Sequence, residues 1–299
     1  LTWRETYSLV RKGGGVVNEV ISCISPQALI SEEKLGYPSA AVLASTWNTE
    51  LILQMGKQIG EDALHAGFTF WKMPSLNLHR TAMGGGNNSS FSEDSYLTGS
   101  MAAAICRGLS GKGVIPVLGR MVLADQETNY TGVVVMAGEQ ALRELYLRPF
   151  EIALRDGGSG MKAVMAGMNR VGPRWCGGHS GLLTKVLRDE WGFEGVVMSD
   201  WGAGYDPAAQ VSAGNDLIQP GKDWIYHALV KAANDGTLKQ EDLDKSVERV
   251  LKMALKTHRY NGYAAAEKTD LEAHAKVCKK VADAGVVLLK NEAATLPVS

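Results

Sequence analysis

A short apolar run that ends in a carboxylate constrains the fold of this chain most. Residues 195–199 follow a glycine-bounded turn and are rich in apolar, β-branched side chains, and Asp200 and Trp201 come directly after them. A run of this kind is typical of a buried parallel strand. An acid at the C-terminal tip of such a strand is placed for catalysis in barrel enzymes, although it can also cap the following helix. The sequence leaves both roles open for Asp200.

Strand-like and helix-like segments alternate along the rest of the chain, which predicts a parallel sheet with helical crossovers. The clearest helix is predicted over residues 48–65, where apolar side chains recur on one face and Asn48 is placed to cap the first turn. Strands are predicted at 16–24, 68–73, 113–118, 133–136, 161–168, 195–199 and 216–218, and further helices at 95–109, 139–154, 182–191 and 241–259.

Composition excludes several classes of function. The 299 residues are 45% hydrophobic, enough for one large core, and 31 basic against 32 acidic residues give a net charge of -1. This balance does not favour nucleic acid or a membrane surface as a partner, and no apolar run approaches the roughly 18 residues of a membrane span. The four cysteines are scattered and are expected to be buried hydrophobes. No metal or organic cofactor is implied.

Many motifs in one order resemble glycoside hydrolase family 3, the β-glucosidase and β-xylosidase group. The run Gly-Phe-Glu-Gly-Val-Val-Met-Ser-Asp-Trp at 192–201 is similar to the nucleophile strand of that family. The resemblance implies an α/β fold of the (β/α)8 TIM-barrel type, with irregularity expected at the first strands. Further matching motifs are Tyr-Pro-Ser-Ala at 37–40, Asn-Leu-His-Arg at 77–80, Phe-Ser-Glu-Asp at 91–94, Gln-Glu-Thr-Asn at 126–129, Asn-Arg-Val at 169–171 and Ala-Gly-Asn-Asp-Leu at 213–217.

The resemblance implies retaining hydrolysis of a β-linked glycoside. Retaining glycosidases use two carboxyl groups roughly 5–5.5 Å apart, one as nucleophile and one as acid/base. By position and motif the nucleophile is Asp200, and Trp201 would offer an aromatic face to a sugar ring. In many family members the acid/base residue comes from a second domain. Within this chain, Glu93, Asp125 and Glu127 are the alternatives, although each also suits a structural role.

Several positions depart from the pattern of the family. Gly86 stands where the family has an arginine, the Gly119-Arg120 pair stands where it has Lys-His, and Met168 replaces a tyrosine. The Asp-Gly-Pro turn of the family has no match between Val10 and Tyr37. Each lost residue ordinarily hydrogen-bonds the sugar, so we expect Asp200 to have few polar neighbours. The expected substrate-binding positions are Trp201, Met168, Arg120, Gly119, Gly86 and Arg80.

These departures keep two functions open. One is a retaining β-glycosidase-like barrel acting through Asp200, with activity expected to be impaired. The alternative is a repurposed or engineered barrel that binds or converts a bulkier, more apolar small molecule. It is suggested by a more apolar cavity lining, which would consist of Met121, Val122, Met165 and Met168. Both functions require a small-molecule ligand, a glycoside in the first case. They differ in the polarity expected around Asp200.

The C-terminal part of the chain predicts a second unit. Residues 284–291 resemble the entry into the α/β-sandwich domain of the family, so we expect a TIM-barrel-like domain at 1–262 and a linker helix with a stub at 263–299. The barrel face left open would suit a homo-oligomer or a separate second domain. The helix residue His274 is expected at the surface. A soluble protein is expected, either cytoplasmic or secreted after processing.

Overall fold

A computed structural model describes residues 36–160, 162–203, 205–258, 260, 269–292 and 296–297. The predicted strand at 16–24 lies outside these ranges. Among the described helices, none combines the length and the apolarity needed to cross a membrane.

Strands and helices alternate through the described part, as predicted. The strands are β1 (Phe70–Trp71), β2 (Ile115–Met121), β3 (Val134–Val135), β4 (Ala163–Ala166), β5 (Arg170–Val171), β6 (Arg174–Trp175) and β7 (Val196–Ser199). The α-helices are α1 (Ala40–Ser45), α2 (Thr49–His65), α3 (Ser95–Gly111), α4 (Glu139–Ala141), α5 (Arg148–Asp156), α6 (Pro207–Ser212), α7 (Asp223–Asp235), α8 (Gln240–Leu255) and α9 (Leu271–Gly285). The π-helical segments are Leu142–Leu147 and Gly181–Glu190, and the 3₁₀ turns are Asn87–Ser89, Tyr130–Gly132 and Cys176–Gly178.

The main sheet is parallel and has the strand order β1-β2-β4-β7. An isolated parallel bridge between Met198 and Leu217 continues the pairing beyond β7, where a strand was predicted at 216–218. A smaller sheet pairs β3 with β5 in parallel and β5 with β6 in antiparallel. The predicted α/β class with parallel strands is therefore confirmed. The strands of the described ranges do not close into a complete barrel by themselves.

Helix α2 shows how local sequence sets an element. Asn48 is its N-cap, and the Asn48 side-chain oxygen accepts a hydrogen bond from the backbone N–H of Leu51 at 3.1 Å. This bond satisfies one of the donors that a helix start leaves free. The buried face of α2 then crosses α3 at Gly56 and Gly108, where bare backbones meet.

The two faces of the main sheet pack into different hydrophobic clusters. The inner cluster consists of Phe70, Ile115, Val117, Ala163, Met165, Val196, Met198 and Met253. The outer cluster includes Leu118, Met121, Val164, Ala166 and Val197 together with buried residues of α2 and α3. Since side chains alternate along a strand, Lys72 and Asp200 continue the faces of Phe70 and Met198, and both project on the side of the inner cluster.

Strand β2 carries a bulge close to its carboxyl end. Gly119 pairs with Met165 and Met121 pairs with Ala166, so Arg120 is an extra residue that has no partner in β4. Odd-numbered residues of β2 face the inner cluster before the bulge, whereas Met121 belongs to the outer cluster. A bulge of this kind re-aims a side chain, and it turns Arg120 towards the side of the sheet on which Asp200 lies.

Helix α9 is fastened to α2 by a buried histidine, so the surface position expected for His274 is wrong. The His274 residue is only 2% exposed. Its Nδ1 atom lies 2.9 Å from Asp62 Oδ1, and its Nε2 atom lies 3.1 Å from Glu61 Oε2. Tyr37 also donates a hydrogen bond to Asp62. The periodicity of α9 did not predict this contact. A polar residue on a helix is predicted to be exposed unless its partners on another helix are known.

Candidate functional site

The candidate site lies at the carboxyl ends of the four strands of the main sheet. Lys72 follows β1, Arg120 lies near the end of β2, Met168 follows β4 and Asp200 follows β7. Parallel strands bring their carboxyl ends to one edge, which is where ligands bind in α/β folds. Residues far apart in the sequence therefore meet at this edge.

Both carboxylate oxygens of Asp200 contact cationic side chains. Lys72 Nζ donates a hydrogen bond to Oδ1 at 3.2 Å, and Arg120 Nε forms an ion pair with Oδ2 at 3.3 Å. The backbone N–H of Trp201 also donates to Oδ1 at 2.7 Å. Asp200 itself is 7% exposed, whereas the Lys72 side chain is 48% exposed. The carboxylate is thus held between a half-buried cation, Arg120, and a more exposed one, Lys72.

Arg120 is held from several sides at once. Its Nη1 atom donates to Glu127 Oε1 at 3.0 Å, and its guanidinium carbon lies 4.9 Å from the centre of the Tyr130 ring. Burial disfavours the charge of this group, but Tyr130, Asp200 and Glu127 outweigh that effect and raise the pKa of Arg120. Arg120 is therefore a permanent cation beside Asp200.

Tyr130 connects the loop after β2 with the loop after β4. Its hydroxyl oxygen accepts a hydrogen bond from the backbone N–H of Met168 at 3.4 Å. Burial raises the pKa of Tyr130 to about 12, although the neighbouring Arg120 acts in the opposite direction. The phenol is consequently neutral at ordinary pH.

A second charged pair lies in the loops that follow β1 and β2. Arg80 Nη1 is 3.6 Å from Asp125 Oδ2, and the Arg80 guanidinium also lies over the ring of Tyr146 at 5.2 Å from its centre. Burial raises the pKa of Asp125, while Arg80 lowers it in part. The structure thus pairs Arg80, a predicted sugar-binding residue, with a carboxylate of the neighbouring loop.

The remaining predicted positions differ in their surroundings. Trp201 is 48% exposed beside Asp200, and Met168 is half-buried. Gly119 lies in β2, where a Cβ would come within 2.9 Å of the Met165 Cε atom. A Cβ on Gly86 would lie 3.6 Å from Glu127 Oε1. The two glycines therefore border side chains of the protein in this structure.

The prediction of an apolar pocket with few polar groups around Asp200 is wrong. Met121, Val122 and Met165 are 0%, 1% and 2% exposed and fill the hydrophobic clusters rather than an open cavity. Two cations contact Asp200 instead. Position-by-position comparison named Arg120 as a substrate-binding position but missed Lys72, which supplies a second charge from another strand end.

Lys72 and Tyr130 are the residues that sequence reasoning did not single out. Lys72 stands directly after a short apolar strand, two residues beyond Phe70, and this spacing was the available signal. Alternation places both on one face of the strand. Tyr130 carried no comparable signal, since its role depends on the bulge at Arg120.

Comparisons with known proteins identify the family of this chain. A family model described as the N-terminal domain of glycosyl hydrolase family 3 matches residues 28–253. A structure of beta-glucosidase 3B from Thermotoga neapolitana in complex with glycerol is 40% identical with a TM-score of 0.86, covering 92% of this chain and 40% of that chain.

Curated relatives give the same result. The protein named probable beta-glucosidase J of Emericella nidulans is 35% identical over 264 residues, which are 87% of this chain and 31% of the relative. An exo-alpha-(1->6)-L-arabinopyranosidase of Bifidobacterium longum is 34% identical over 266 residues, 88% of this chain and 34% of the relative. The chain thus spans about a third of the length of these relatives. It belongs to glycosyl hydrolase family 3 and corresponds to the N-terminal domain of that family.

Proposed function

We propose that this chain is the nucleophile-bearing part of a retaining β-glycosidase, with Asp200 as the nucleophile. The observation that carries the proposal is the setting of Asp200: an acid directly after β7, at the carboxyl edge of the sheet, with Oδ1 held by two hydrogen bonds and Oδ2 by an ion pair with Arg120. Family membership and the β-glucosidase names of several relatives support a β-linked glycoside as the substrate class.

The geometry suits attack by one carboxylate oxygen on an anomeric carbon. In the first step an Asp200 oxygen forms a bond to that carbon while the bond to the leaving oxygen breaks, and the leaving group departs with the electron pair. In the second step water attacks the same carbon and restores the carboxylate. Lys72, Arg120 and the Trp201 N–H hold the carboxylate in place before the reaction, which reduces the reorganisation that attack requires. The exposed Trp201 indole offers a face for the sugar.

A second carboxyl group must protonate the leaving oxygen of a natural substrate. The three alternatives in this chain already have partners: Glu127 accepts from Arg120, Asp125 pairs with Arg80, and Glu93 accepts from Ser92 Oγ at 3.4 Å. We therefore assign the proton donor to a second domain, on the same chain or a separate one. Residues 1–262 would form the barrel-like domain and 263–299, with α9, the link.

The exposed segment after α9 supports this division. Val286, Val287, Leu288 and Leu289 are 74%, 63%, 60% and 91% exposed. A contiguous apolar segment is costly to leave in water. A further domain or another protein chain would cover it, and homo-oligomer formation is the alternative.

A trapping experiment tests Asp200 without needing the proton donor. A 2-deoxy-2-fluoro-β-glucoside with a dinitrophenolate leaving group loses a stable anion, so the glycosyl-enzyme forms and accumulates. We expect the intact mass to rise by one fluorosugar, with the adduct on the Asp200 peptide. Asp200→Asn should abolish the adduct, and Asp235→Asn on exposed α7 should keep it. A wild-type chain that stays unmodified, or an adduct on another residue, contradicts the proposal.

The apolar-ligand alternative has lost the feature that motivated it. It depended on Asp200 standing among apolar side chains, whereas Lys72 and Arg120 lie within 3.3 Å of its carboxylate oxygens. A polar, hydroxyl-bearing ligand suits these donors better, because polar groups placed without partners cost about 1–3 kcal/mol each.

A further inference from the structure

Arg120 can contact Asp200 only while its guanidinium keeps one orientation. Nε lies 3.3 Å from Asp200 Oδ2 in an ion pair, and Nη1 donates a hydrogen bond to Glu127 Oε1 at 3.0 Å. The ring of Tyr130 limits movement on one side, because it lies 4.9 Å from the guanidinium carbon. The Glu127 contact is thus the polar anchor of the same group that reaches Asp200.

Glu127 in turn depends on a glycine of the loop after β1. A Cβ built on Gly85 would lie 2.5 Å from Glu127 Cγ and 2.7 Å from Glu127 Cβ. Side-chain atoms do not approach one another so closely, and these atoms are near the root of the Glu127 side chain, so they cannot simply swing aside. Gly85 does not have a positive φ, so its backbone conformation does not require glycine. Glycine is required at position 85 because the Glu127 side chain occupies the space that a Cβ would take.

We propose that Glu127 is a positioning residue that holds Arg120 against Asp200, and that the bare backbone of Gly85 makes room for it. The proposal rests on the proposed role of Asp200 and deepens it. It assigns the glycine run at 84–86 a function, namely to admit a carboxylate from the neighbouring loop. It also separates Glu127 from a proton-donor role, since its Oε1 atom is used as an acceptor for Arg120.

Two variants distinguish the position of the Glu127 carboxylate from its charge. Gly85→Ala displaces the carboxylate without removing its charge, whereas Glu127→Gln removes the charge but keeps an oxygen acceptor for Arg120. A positioning role therefore predicts that Gly85→Ala releases Arg120 and that Glu127→Gln retains it. A purely electrostatic role predicts the reverse.

The experiment follows the Arg120 Nε–H signal by NMR at constant pH in the full chain and measures its exchange with solvent. We expect the exchange rate to rise about tenfold in Gly85→Ala and in Glu127→Ala, because Arg120 loses its anchor. Glu127→Gln keeps an oxygen acceptor for Arg120 and should stay close to the wild-type rate. Gly138→Ala is the matched control, because a Cβ there has nothing within 4 Å. The rate of fluoroglucoside trapping should fall about tenfold in Gly85→Ala and in Glu127→Ala.

The outcomes separate the two proposals. An exchange rate of Arg120 Nε–H that stays at the wild-type value in Gly85→Ala or in Glu127→Ala overturns the positioning role. An exchange rate that rises in both variants, while the wild-type chain shows no trapping, supports the positioning role and overturns the proposed function. If Gly85→Ala does not fold, Glu127→Ala decides alone, because its side chain is 39% exposed and its truncation creates no clash.

Discussion

Lys72 Nζ and Asp200 Oδ1 lie 3.2 Å apart although 128 residues separate them in the chain. The parallel sheet brings them together, because β1 and β7 both end at the edge where the site lies. Half of the Lys72 side chain is in contact with solvent, so it can leave Asp200 when a ligand arrives. Arg120 has much less freedom. The two cations therefore differ in how strongly each controls the carboxylate.

Replacing Lys72 tests the exposed cation. Lys72 donates a hydrogen bond to Asp200 Oδ1, so Lys72→Met removes one of the contacts that hold the carboxylate. Because an exposed ion pair contributes little, we expect the trapping rate to fall only about threefold. Lys72→Arg keeps the charge and should trap at close to the wild-type rate. Equal rates for Lys72→Met and the wild type would show that Lys72 does not act on Asp200.

The raised pKa of Tyr130 predicts that the folded chain loses stability at alkaline pH. Its pKa is raised to about 12 in the folded chain, against 10 for an unperturbed tyrosine. Below pH 10 neither state ionises, whereas between pH 10 and 12 the unfolded chain loses the proton that the folded chain keeps, so folding weakens as pH rises. At pH 11 this amounts to about 1 kcal/mol. Urea unfolding at pH 9 and 11 should show a smaller decline for Tyr130→Phe. Equal declines would place the phenol in a solvent-like environment.

The crossing of α2 and α3 depends on Gly108. A Cβ there would lie 2.5 Å from the Leu53 carbonyl oxygen and 2.7 Å from Gly56 Cα. Since these are backbone atoms, Gly108→Ala forces the helices apart and should cost about 2 kcal/mol in urea unfolding. Gly111→Ala at the end of the same helix has nothing within 4 Å and should leave stability unchanged or slightly higher. Two variants of equal stability would argue against a close crossing.

Asp216 makes the buried ionic centre behind β7. Arg188 Nη2 lies 2.9 Å from its Oδ2 atom, Arg249 Nη2 lies 2.7 Å from its Oδ1 atom, and the Val197 N–H also donates to it. Asp216→Asn leaves two buried cations without their counter-ion and should cost about 3–5 kcal/mol. Glu241→Gln, which breaks an exposed pair with Lys245 on α8, is the control and should keep the wild-type urea midpoint. A small loss in Asp216→Asn would mean that solvent reaches the centre.

Local signals were sufficient for most of the longer elements of the fold, whereas helix α7 and the short strands β5 and β6 were not predicted. Helix α2 and its Asn48 cap follow from periodicity and a capping side chain, and β7 follows from a bounded apolar run. Collinear motifs were sufficient for the family. These features depend on residues close together in the sequence, or on a long series of matches.

The surroundings of Asp200 could not be predicted in the same way. Strict alternation would send Arg120 to the face of Leu118, and the bulge that reverses it leaves no clear mark in the sequence. The role of Glu127 likewise depends on the space beside Gly85 in another loop. The family's arginine, lysine and histidine are absent from their usual positions, and the sequence therefore predicted a site around Asp200 with few polar groups. In the structure, side chains at other positions supply charge to the same edge.

The bulge in β2 makes the charge beside the proposed nucleophile depend on the number of backbone residues in that strand. Deleting one residue there would restore regular pairing with β4 and turn the guanidinium away from Asp200. A change in the length of this strand would thus alter the charge next to one carboxylate in a single step.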